Sequence, residues 1–267
     1  SRSRKSSGGE KPVTVRAEGA ETVDFRVLPF SLDEVRLLDG PFGHAMELNA
    51  KVLLNYEPDR LLARFRSESG LEPRAEHYGG WEAETLAGHS LGHYLSALSM
   101  MYLATGQAEF LDRVNYIVSE LKVCQDADGS GYIGASPGAK KIFEEQVSNG
   151  VIRSAGFDLN GIWAPFYTQH KIMAGLRDAY RMCGNETALG IAEGFADWIY
   201  TVVDDLSPEQ VETMLHCEYG GMLEVLADLY ADTGKEKYLE MSRIFQDRFI
   251  LEPLSRGEDI LPGKHGN

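Results

Sequence analysis

The stretch YLSALSMMYLATGQAEFLDRVNYIVSEL, residues 94–121, contains two segments. The first is apolar and has a Tyr near its end, four residues before a Gly. The second has one apolar stripe. The arrangement returns in residues 172–199, IMAGLRDAYRMCGNETALGIAEGFADWI, and in residues 222–249, MLEVLADLYADTGKEKYLEMSRIFQDRF. Glycine closes a helix readily because it adopts the left-handed conformation. A new helical pattern begins within two or three residues of each glycine, and links this short predict antiparallel helix pairs.

The two helices of each pair differ in polarity. The first is apolar and rich in small residues, so we expect it to pack inside, whereas the second has a charged face and belongs outside. Repeated hairpins of this kind build either an open solenoid or a closed α/α toroid. The closing glycines at positions 106, 184 and 234 are too unevenly spaced for a regular solenoid. The sequence therefore predicts an all-α fold, an (α/α) toroid or barrel of helical hairpins.

The segments outside the hairpins complete the predicted organisation. Residues 1–23 lack an apolar run and predict a flexible tail or a cloning remnant, followed by one domain over residues 24–267. From about residue 24, the alternation of VDFRVLPFSLDEVRLL predicts a short N-terminal β stretch. Residues 127–160 contain aromatic residues and glycines without a long periodic pattern, and predict a loop that folds over a cleft.

Composition excludes several classes of function. The formal net charge is -15, from 41 acidic and 26 basic residues, so nucleic acid is not an expected partner. No run approaches the length of a membrane-spanning helix, and no membrane partner is expected. Cys124, Cys183 and Cys217 are too few and too far apart for a disulfide framework or a CxxC metal site. Cys124 and Cys183 lie in helical apolar patterns and are expected to be buried free thiols. Cys217 lies beside acids and a histidine, and the sequence assigns it no role.

Polar chemistry gathers where the inner helices begin. If these helices run parallel around a ring, their N-terminal ends meet at one mouth. That mouth would hold Trp81, Glu82, Glu84, His89 and His93 from the first repeat, Trp163, Tyr167, Gln169 and His170 from the second, His216, Glu218, Tyr219 and Gly220 from the third, and His265 near the end. Aromatic faces stack on sugars, while imidazole, amide and carboxylate groups bond hydroxyls. The mouth therefore predicts a carbohydrate site.

Some of these residues have alternative readings. His89 and His93 have the spacing of a helical metal pair, but no Glu lies between them as in H-E-x-x-H. Structural or ligand-binding histidines are therefore favoured, and no metal site is predicted. Glu82, Glu84 and Glu218 could supply general acid/base chemistry, although spacing alone selects no pair.

A series of motifs runs from about residue 30 to the end of the chain: SLDEVRLLDGPF, LNAKVLLNYEPDRLLARFR, YGGWE, GHSLGHYLSALSMMYLATG, DGSGYIGA, LNGIWAPFYTQHKI, AGLRDAY, EYGGMLEVLADLY and GKHGN. In these motifs the chain resembles the β-L-arabinofuranosidase group of glycoside hydrolases, families 127/146 and relatives, in the N-terminal part of the catalytic domain. The resemblance implies an α/α barrel whose inner-helix entrances hold a furanose. Carried over position by position, it implies substrate-binding roles for Trp81, His89, His93, His170, Glu218 and His265.

The resemblance also implies retaining chemistry, with a zinc-bound cysteine thiolate as nucleophile and a glutamate as acid/base. In the family the zinc is held by a Glu and further cysteines in Glu-x-Cys and Cys-Cys motifs. No cysteine of this chain matches those motifs, so the catalytic residues stay unknown; no cofactor is expected in this chain, and zinc is expected in the full-length enzyme. Leu223 stands where the family usually has Asn, and the last motif stops at Asn267. We therefore expect a fragment of a longer enzyme or a shortened relative with an open ring.

Three hypotheses of function follow. The leading one is a β-L-arabinofuranosidase-like glycoside hydrolase domain that acts on arabinofuranose-containing plant glycans and carries the sugar-binding half. The others are another α/α-toroid carbohydrate enzyme (a uronyl hydrolase, lyase or epimerase) and a non-catalytic carbohydrate-binding or scaffold module. The expected partners are an oligosaccharide or glycan substrate and, through an open barrel edge, a second copy of the chain. A secreted or periplasmic location is expected.

Overall fold

A computed structural model describes residue 27 and residues 29–263. In this part of the chain the α-helices are α1 (Pro41–Asn55), α2 (Pro58–Glu68), α3 (His89–Thr105), α4 (Ala108–Asp128), α5 (Ala139–Glu145), α6 (Pro165–Cys183), α7 (Glu186–Val203), α8 (Pro208–Leu215), α9 (Met222–Thr233), α10 (Glu236–Ile244) and α11 (Arg248–Ser255). Short 3-10 turns lie at Leu32–Glu34, Gly80–Ala83 and Val147–Asn149. None of the described helices is long and apolar enough to cross a membrane.

The predicted hairpins are α3–α4, α6–α7 and α9–α10. Each first helix ends at a left-handed glycine whose N–H donates to the carbonyl of the tyrosine four residues earlier: Gly106 to Tyr102 at 2.7 Å, Gly184 to Tyr180 at 2.9 Å and Gly234 to Tyr230 at 2.7 Å. This bond satisfies a carbonyl that the helix end would leave unpaired. The repeated Tyr and Gly therefore mark the same structural event three times, and the hairpin prediction is confirmed.

The first helices form an inner layer in which α6 packs between α3 and α9. The second helices lie behind them, with α7 in contact with α4 and α10. Two glycines allow α3 and α6 to approach until their backbones touch. A Cβ on Gly92 would lie 2.2 Å from the Lys171 carbonyl oxygen, and one on Gly175 would lie 2.4 Å from the Gly92 carbonyl oxygen. This close contact aligns the entrances of the two helices.

The prediction of a short N-terminal β stretch is wrong for the described residues of that segment. Residues 29–38 contain a 3-10 turn and no strand. Ser31 and Glu34 form a capping box, in which the Ser31 N–H donates to the Glu34 carboxylate at 2.9 Å. Alternation produces a strand only when a neighbouring strand pairs with it, and the described strands lie elsewhere, at β1 (Ser154–Ala155), β2 (Asp158–Leu159) and β3 (Ile162–Trp163).

The prediction of a long loop over residues 127–160 is also wrong. The segment contains α5, a 3-10 turn and two strands of a small antiparallel sheet. The rings of Tyr132 and Phe143 are buried against Trp198 of α7, with centroids 4.5 and 5.7 Å away. The segment therefore packs against an outer helix, whereas Phe157 is exposed. Trp198 is buried, and its indole N–H donates to Glu144 at 2.9 Å.

Buried apolar side chains form one cluster that extends from Leu53 to Phe245. Residues 1–23 lie outside the described residues. The division into a tail and one domain over residues 24–267 therefore stays a prediction.

Candidate functional site

The entrance of α3 is held by the buried carboxylate of Glu82. Its two oxygens accept the backbone N–H groups of Gly88 at 2.9 Å and Ser90 at 3.1 Å. The His89 ring nitrogen Nδ1 lies 3.1 Å from the same carboxylate. Burial alone would raise the pKa of Glu82, but the hydrogen bonds from His89, Gly88 and Ser90 outweigh it and lower the pKa below its ordinary value. Glu82 therefore acts as a helix-capping anion, and the geometry does not suit it to the acid role considered for it.

The ring of His89 has a defined tautomer. Its Nδ1 lies 2.9 Å from the Leu86 carbonyl oxygen and 3.1 Å from Glu82. Both neighbours only accept hydrogen bonds, so in the neutral ring the proton belongs on Nδ1 and Nε2 is left as an acceptor. His89 is only 6% exposed, so it forms the floor of the entrance.

Aromatic rings form the wall above this floor. Trp81 is 62% exposed, and its ring centroid lies 5.9 Å from that of His89 and 6.4 Å from that of Trp163. His93 is exposed one turn into α3, and its Nε2 lies 3.4 Å from the hydroxyl of Tyr167 on α6. The entrances of α3 and α6 thus present a continuous surface of rings with polar edges.

The third entrance packs directly on His170. Gly221 donates its N–H to His170 Nδ1 at 3.1 Å. A Cβ at Gly220 would lie 3.1 Å from Nδ1, and one at Gly221 would lie 2.7 Å from Nε2, so the glycine pair makes room for the ring. Because Nδ1 accepts a hydrogen bond, the neutral ring carries its proton on Nε2. In their neutral forms, His170 therefore offers a hydrogen-bond donor at Nε2, whereas His89 offers an acceptor at Nε2.

Lys171 and Glu218 carry charges that shift the pKa values of the rings at this mouth. The Lys171 ammonium lies 4.8 Å from the centre of the Tyr167 ring. Burial, and then the charges of Lys171 and His93, lower the pKa of His170 to about 4. Burial, followed by Lys171, also lowers the pKa of His93. Burial and the negative charge of Glu218 raise the pKa of Tyr167. At neutral pH both histidines are therefore uncharged hydrogen-bonding groups.

A cavity of about 460 Å³ adjoins this surface through Trp81 and His93. It is lined by Leu53, Tyr56, Leu61, Tyr78, Gly79, Trp81, Glu82, Ser90, His93, Tyr94 and Ala97. Its volume lies within the range of small-molecule sites. Sequence reasoning missed its three tyrosines, because they belong to segments that only the tertiary fold brings together.

The sequence-predicted residues come together in most cases. Trp81, His89, His93, His170 and Glu218 lie around the entrances of α3, α6 and α9. Glu218 is half-buried, and its backbone N–H donates to the Gly156 carbonyl at 2.8 Å. His265 lies outside the described residues. Lys171 was missed, although its place beside His170 in the sequence could have pointed to it.

The three cysteines do not fit the zinc cluster that the resemblance implies for the family. Cys124, Cys183 and Cys217 are free, and burial is the largest cause that raises their pKa values to about 11, 11 and 12. Thiolates bind zinc, and these groups are protonated thiols at neutral pH. In the described part of the chain, no three His, Cys, Asp or Glu residues are grouped so that they could hold a metal ion.

Acidification should destabilise the chain through His170. Its folded-state pKa of about 4 lies below the ordinary value of 6.5, so the unfolded chain takes up the proton first as the pH falls. The stabilisation that neutral His170 gives the folded chain is complete above about pH 6.5. It is lost as the pH falls towards 4, which lowers the free energy of unfolding by roughly 3 kcal/mol at most. Urea unfolding at pH 7 and pH 4.5 should show a smaller acid loss for His170→Gln than for wild type. His44→Gln, on the exposed surface of α1, is the control, and identical losses in all three proteins would contradict the prediction.

A family model described as "Beta-L-arabinofuranosidase, GH127 catalytic domain" matches residues 34–267. A search of curated proteins found no match. Among solved structures, that of a GH127 β-L-arabinofuranosidase from Geobacillus stearothermophilus T6 is similar, with a TM-score of 0.50 and 21% sequence identity.

That structural match covers 80% of this chain and 32% of the other chain, so this chain spans about a third of the length of that enzyme. At 21% identity the similarity to that enzyme concerns the fold alone. It agrees with the mostly helical structure of this chain, and the predicted all-α, barrel-like fold class is confirmed. The family model matches most of the sequence. The chain therefore belongs to the family of GH127 β-L-arabinofuranosidase catalytic domains.

Proposed function

We propose that this chain forms the sugar-binding part of a glycoside hydrolase that acts on glycans containing β-L-arabinofuranose. The observation that carries the proposal is the convergence of Trp81, His93, Tyr167 and His170 on one mouth. The family match over residues 34–267 supports the class of substrate.

The side chains offer a furanose complementary contacts. The exposed face of Trp81 can stack on the C–H surface of a sugar ring. His170 Nε2–H can donate to a hydroxyl, and the neutral ring of His93 can bond another. Burial, and then the charge of Lys171, lower the pKa values of both histidines, so that at pH 7 they act as hydrogen-bonding groups rather than as cations.

Two other classes of function make different demands on the same mouth. A uronyl hydrolase, lyase or epimerase of the α/α-toroid type would need an acid/base among Glu82, Glu84, Glu218 and the histidines. The capping bonds and lowered pKa of Glu82 argue against its use as an acid. A non-catalytic binding module would keep the sugar contacts and lack hydrolysis, so an assay for released arabinose separates it from the enzyme.

Calorimetric titration of the chain tests the proposal. We expect saturable binding of methyl β-L-arabinofuranoside and at least tenfold weaker binding of methyl β-D-xylopyranoside and of an unsaturated uronide. Preferential binding of the uronide would favour the second enzyme class. Absence of binding to all three would contradict a sugar-binding role.

We propose that this chain alone binds no stoichiometric zinc, and that zinc in a complete family enzyme is held by ligands other than its three cysteines. The raised thiol pKa values of these cysteines support this. Elemental analysis after dialysis against metal-free buffer should find far less than one zinc per chain. A tightly held equivalent that resists dialysis would overturn the proposal.

We propose self-association through the apolar surfaces at the two ends of the helical array. The side chains that expose apolar area there are Phe42, Leu48 and Val52 on α1, and Phe249, Leu251 and Leu254 on α11. Contiguous apolar surface promotes association. Light scattering should show a mass that rises with concentration, and the double variant Phe42→Glu and Leu48→Glu should lower it. Val123→Glu, at an exposed position of α4, is the control; a wild-type chain that stays monomeric at all concentrations would contradict the proposal.

We also propose plant glycans as the substrates and a secreted or periplasmic location. Large polysaccharides do not cross membranes, so an enzyme that degrades them must meet them outside the cytoplasm. Fractionation of the source cells, with detection by antibody, tests the location.

A further inference from the structure

A second, much smaller cavity lies beneath the entrance of α6. Its volume is about 20 Å³, and it is lined by Tyr132, Ile133, Gly134, Ala135, Ser136, Ala139, Phe143, Pro165, Thr168, Gln169 and Ile172. Its walls thus come from the first turn of α6 and from the segment that leads into α5. Apart from the hydroxyl of Tyr132 and the three side chains of Ser136, Thr168 and Gln169, these walls are apolar or backbone.

Those three side chains each bring an unpaired polar atom. Ser136 Oγ, Thr168 Oγ1 and Gln169 Oε1 are buried and have no hydrogen-bond partner among the described residues. The three residues are only 6%, 5% and 5% exposed. A buried polar atom without a partner is costly, and such atoms are rare in folded proteins. Three of them on the lining of one small cavity indicate a shared ligand.

We propose that this cavity binds one internal water molecule, which bridges Ser136, Thr168 and Gln169. A volume of about 10–15 Å³ is enough for one water, and buried waters typically make about three hydrogen bonds. Water can donate to Gln169 Oε1, which only accepts, and the two hydroxyls can rotate to donate or accept. A metal cation is a poorer fit, because calcium takes six to eight oxygen ligands and usually a carboxylate.

The water connects two parts of the chain, because Ser136, Thr168 and Gln169 form no direct hydrogen bond with one another through these atoms. It would tie the segment around Ser136 to the first turn of α6, one residue before His170. The site is independent of the proposed sugar binding, because the cavity shares no lining residue with the cavity beside Trp81.

The sign of a stability change tests the proposal. Thr168→Val keeps the shape of the side chain and removes its hydroxyl. If the cavity is dry, the variant loses an unsatisfied polar group and its melting temperature should rise. If a water bridges the site, the water loses a partner and the melting temperature should fall by about 2–4 °C. We expect the fall, and Ser136→Ala should behave in the same way.

Two further measurements test whether a change in melting temperature reflects the loss of a water contact. Ser99→Ala calibrates the loss of a satisfied buried hydroxyl, since Ser99 donates to the Leu95 carbonyl at 2.7 Å. NMR on the wild-type chain should detect a long-lived water with cross-relaxation to Thr168 and Ser136 protons, whether or not the variants fold. A higher melting temperature for both variants, or the absence of that water in the NMR spectra, would overturn the proposal.

Discussion

Gly92→Ala is expected to be the most destabilising small substitution in the inner layer. The added Cβ would lie 2.2 Å from the Lys171 carbonyl oxygen, 2.3 Å from its carbonyl carbon and 2.7 Å from the Ile172 nitrogen. All three are backbone atoms, so no side chain can rotate away, and α3 must separate from α6. We expect a loss of about 3–5 kcal/mol in the free energy of unfolding, at or above the upper end of the usual overpacking range. Urea unfolding followed by circular dichroism measures it.

Gly190→Ala is the matched control. Gly190 lies inside α7, and a Cβ there would have no atom within 4 Å. Alanine should therefore stabilise this helix by about 0.5–1 kcal/mol. Gly175→Ala should reproduce the large loss from the opposite helix. If Gly92→Ala unfolds at the same urea concentration as wild type, α3 and α6 do not touch through their backbones.

Glu82→Ala is expected to have the second largest effect. It would leave the Gly88 and Ser90 N–H groups without their acceptor. It would also remove one of the two acceptors of the His89 Nδ1–H, the other being the Leu86 carbonyl. Unpaired buried donors cost about 1–3 kcal/mol each and are not additive, so we expect a loss of about 2–4 kcal/mol.

Glu84→Ala is the control for this prediction, because Glu84 is exposed two residues further on. A surface change of this kind should alter stability by no more than about 0.5 kcal/mol. Equal effects at the two positions would mean that Glu82 does not anchor the entrance. A Glu82→Gln variant could also keep full stability and normal sugar binding while losing hydrolysis. That outcome would assign Glu82 the role of a catalytic acid.

The hairpins could be predicted from the sequence because their signals are local. The left-handed glycines and the apolar first helices act over a few residues, and both recur three times. The strand expected near residue 30 failed for the complementary reason. Its alternation was local, whereas the partner strand that it needed is absent from the described residues around it. Residues 127–160 were misjudged because their order comes from burying Tyr132 and Phe143 against Trp198, which lies far along the chain.

The site could be predicted only as a group of residues. The expected meeting of the inner-helix entrances grouped His93 with His170, and the structure brings both residues to one mouth. The ring tautomers could not be foreseen, because they depend on Leu86, Glu82 and Gly221. The low pKa of His170 likewise depends on burial and on charges whose distances the sequence does not contain.

The central claim, that the mouth at the inner-helix entrances binds a furanose, is tested most directly with one pair of variants. His170→Ala and Trp198→Phe are titrated calorimetrically with methyl β-L-arabinofuranoside, and their melting curves are recorded beside those of wild type. Loss of a buried partner for a sugar hydroxyl should weaken binding to His170→Ala by about 1–3 kcal/mol, roughly 5- to 150-fold. Trp198→Phe, altered in the buried core of α7, should melt at a lower temperature and bind like wild type. If His170→Ala binds the sugar as tightly as wild type and only melts lower, His170 is structural and the mouth is not the sugar site.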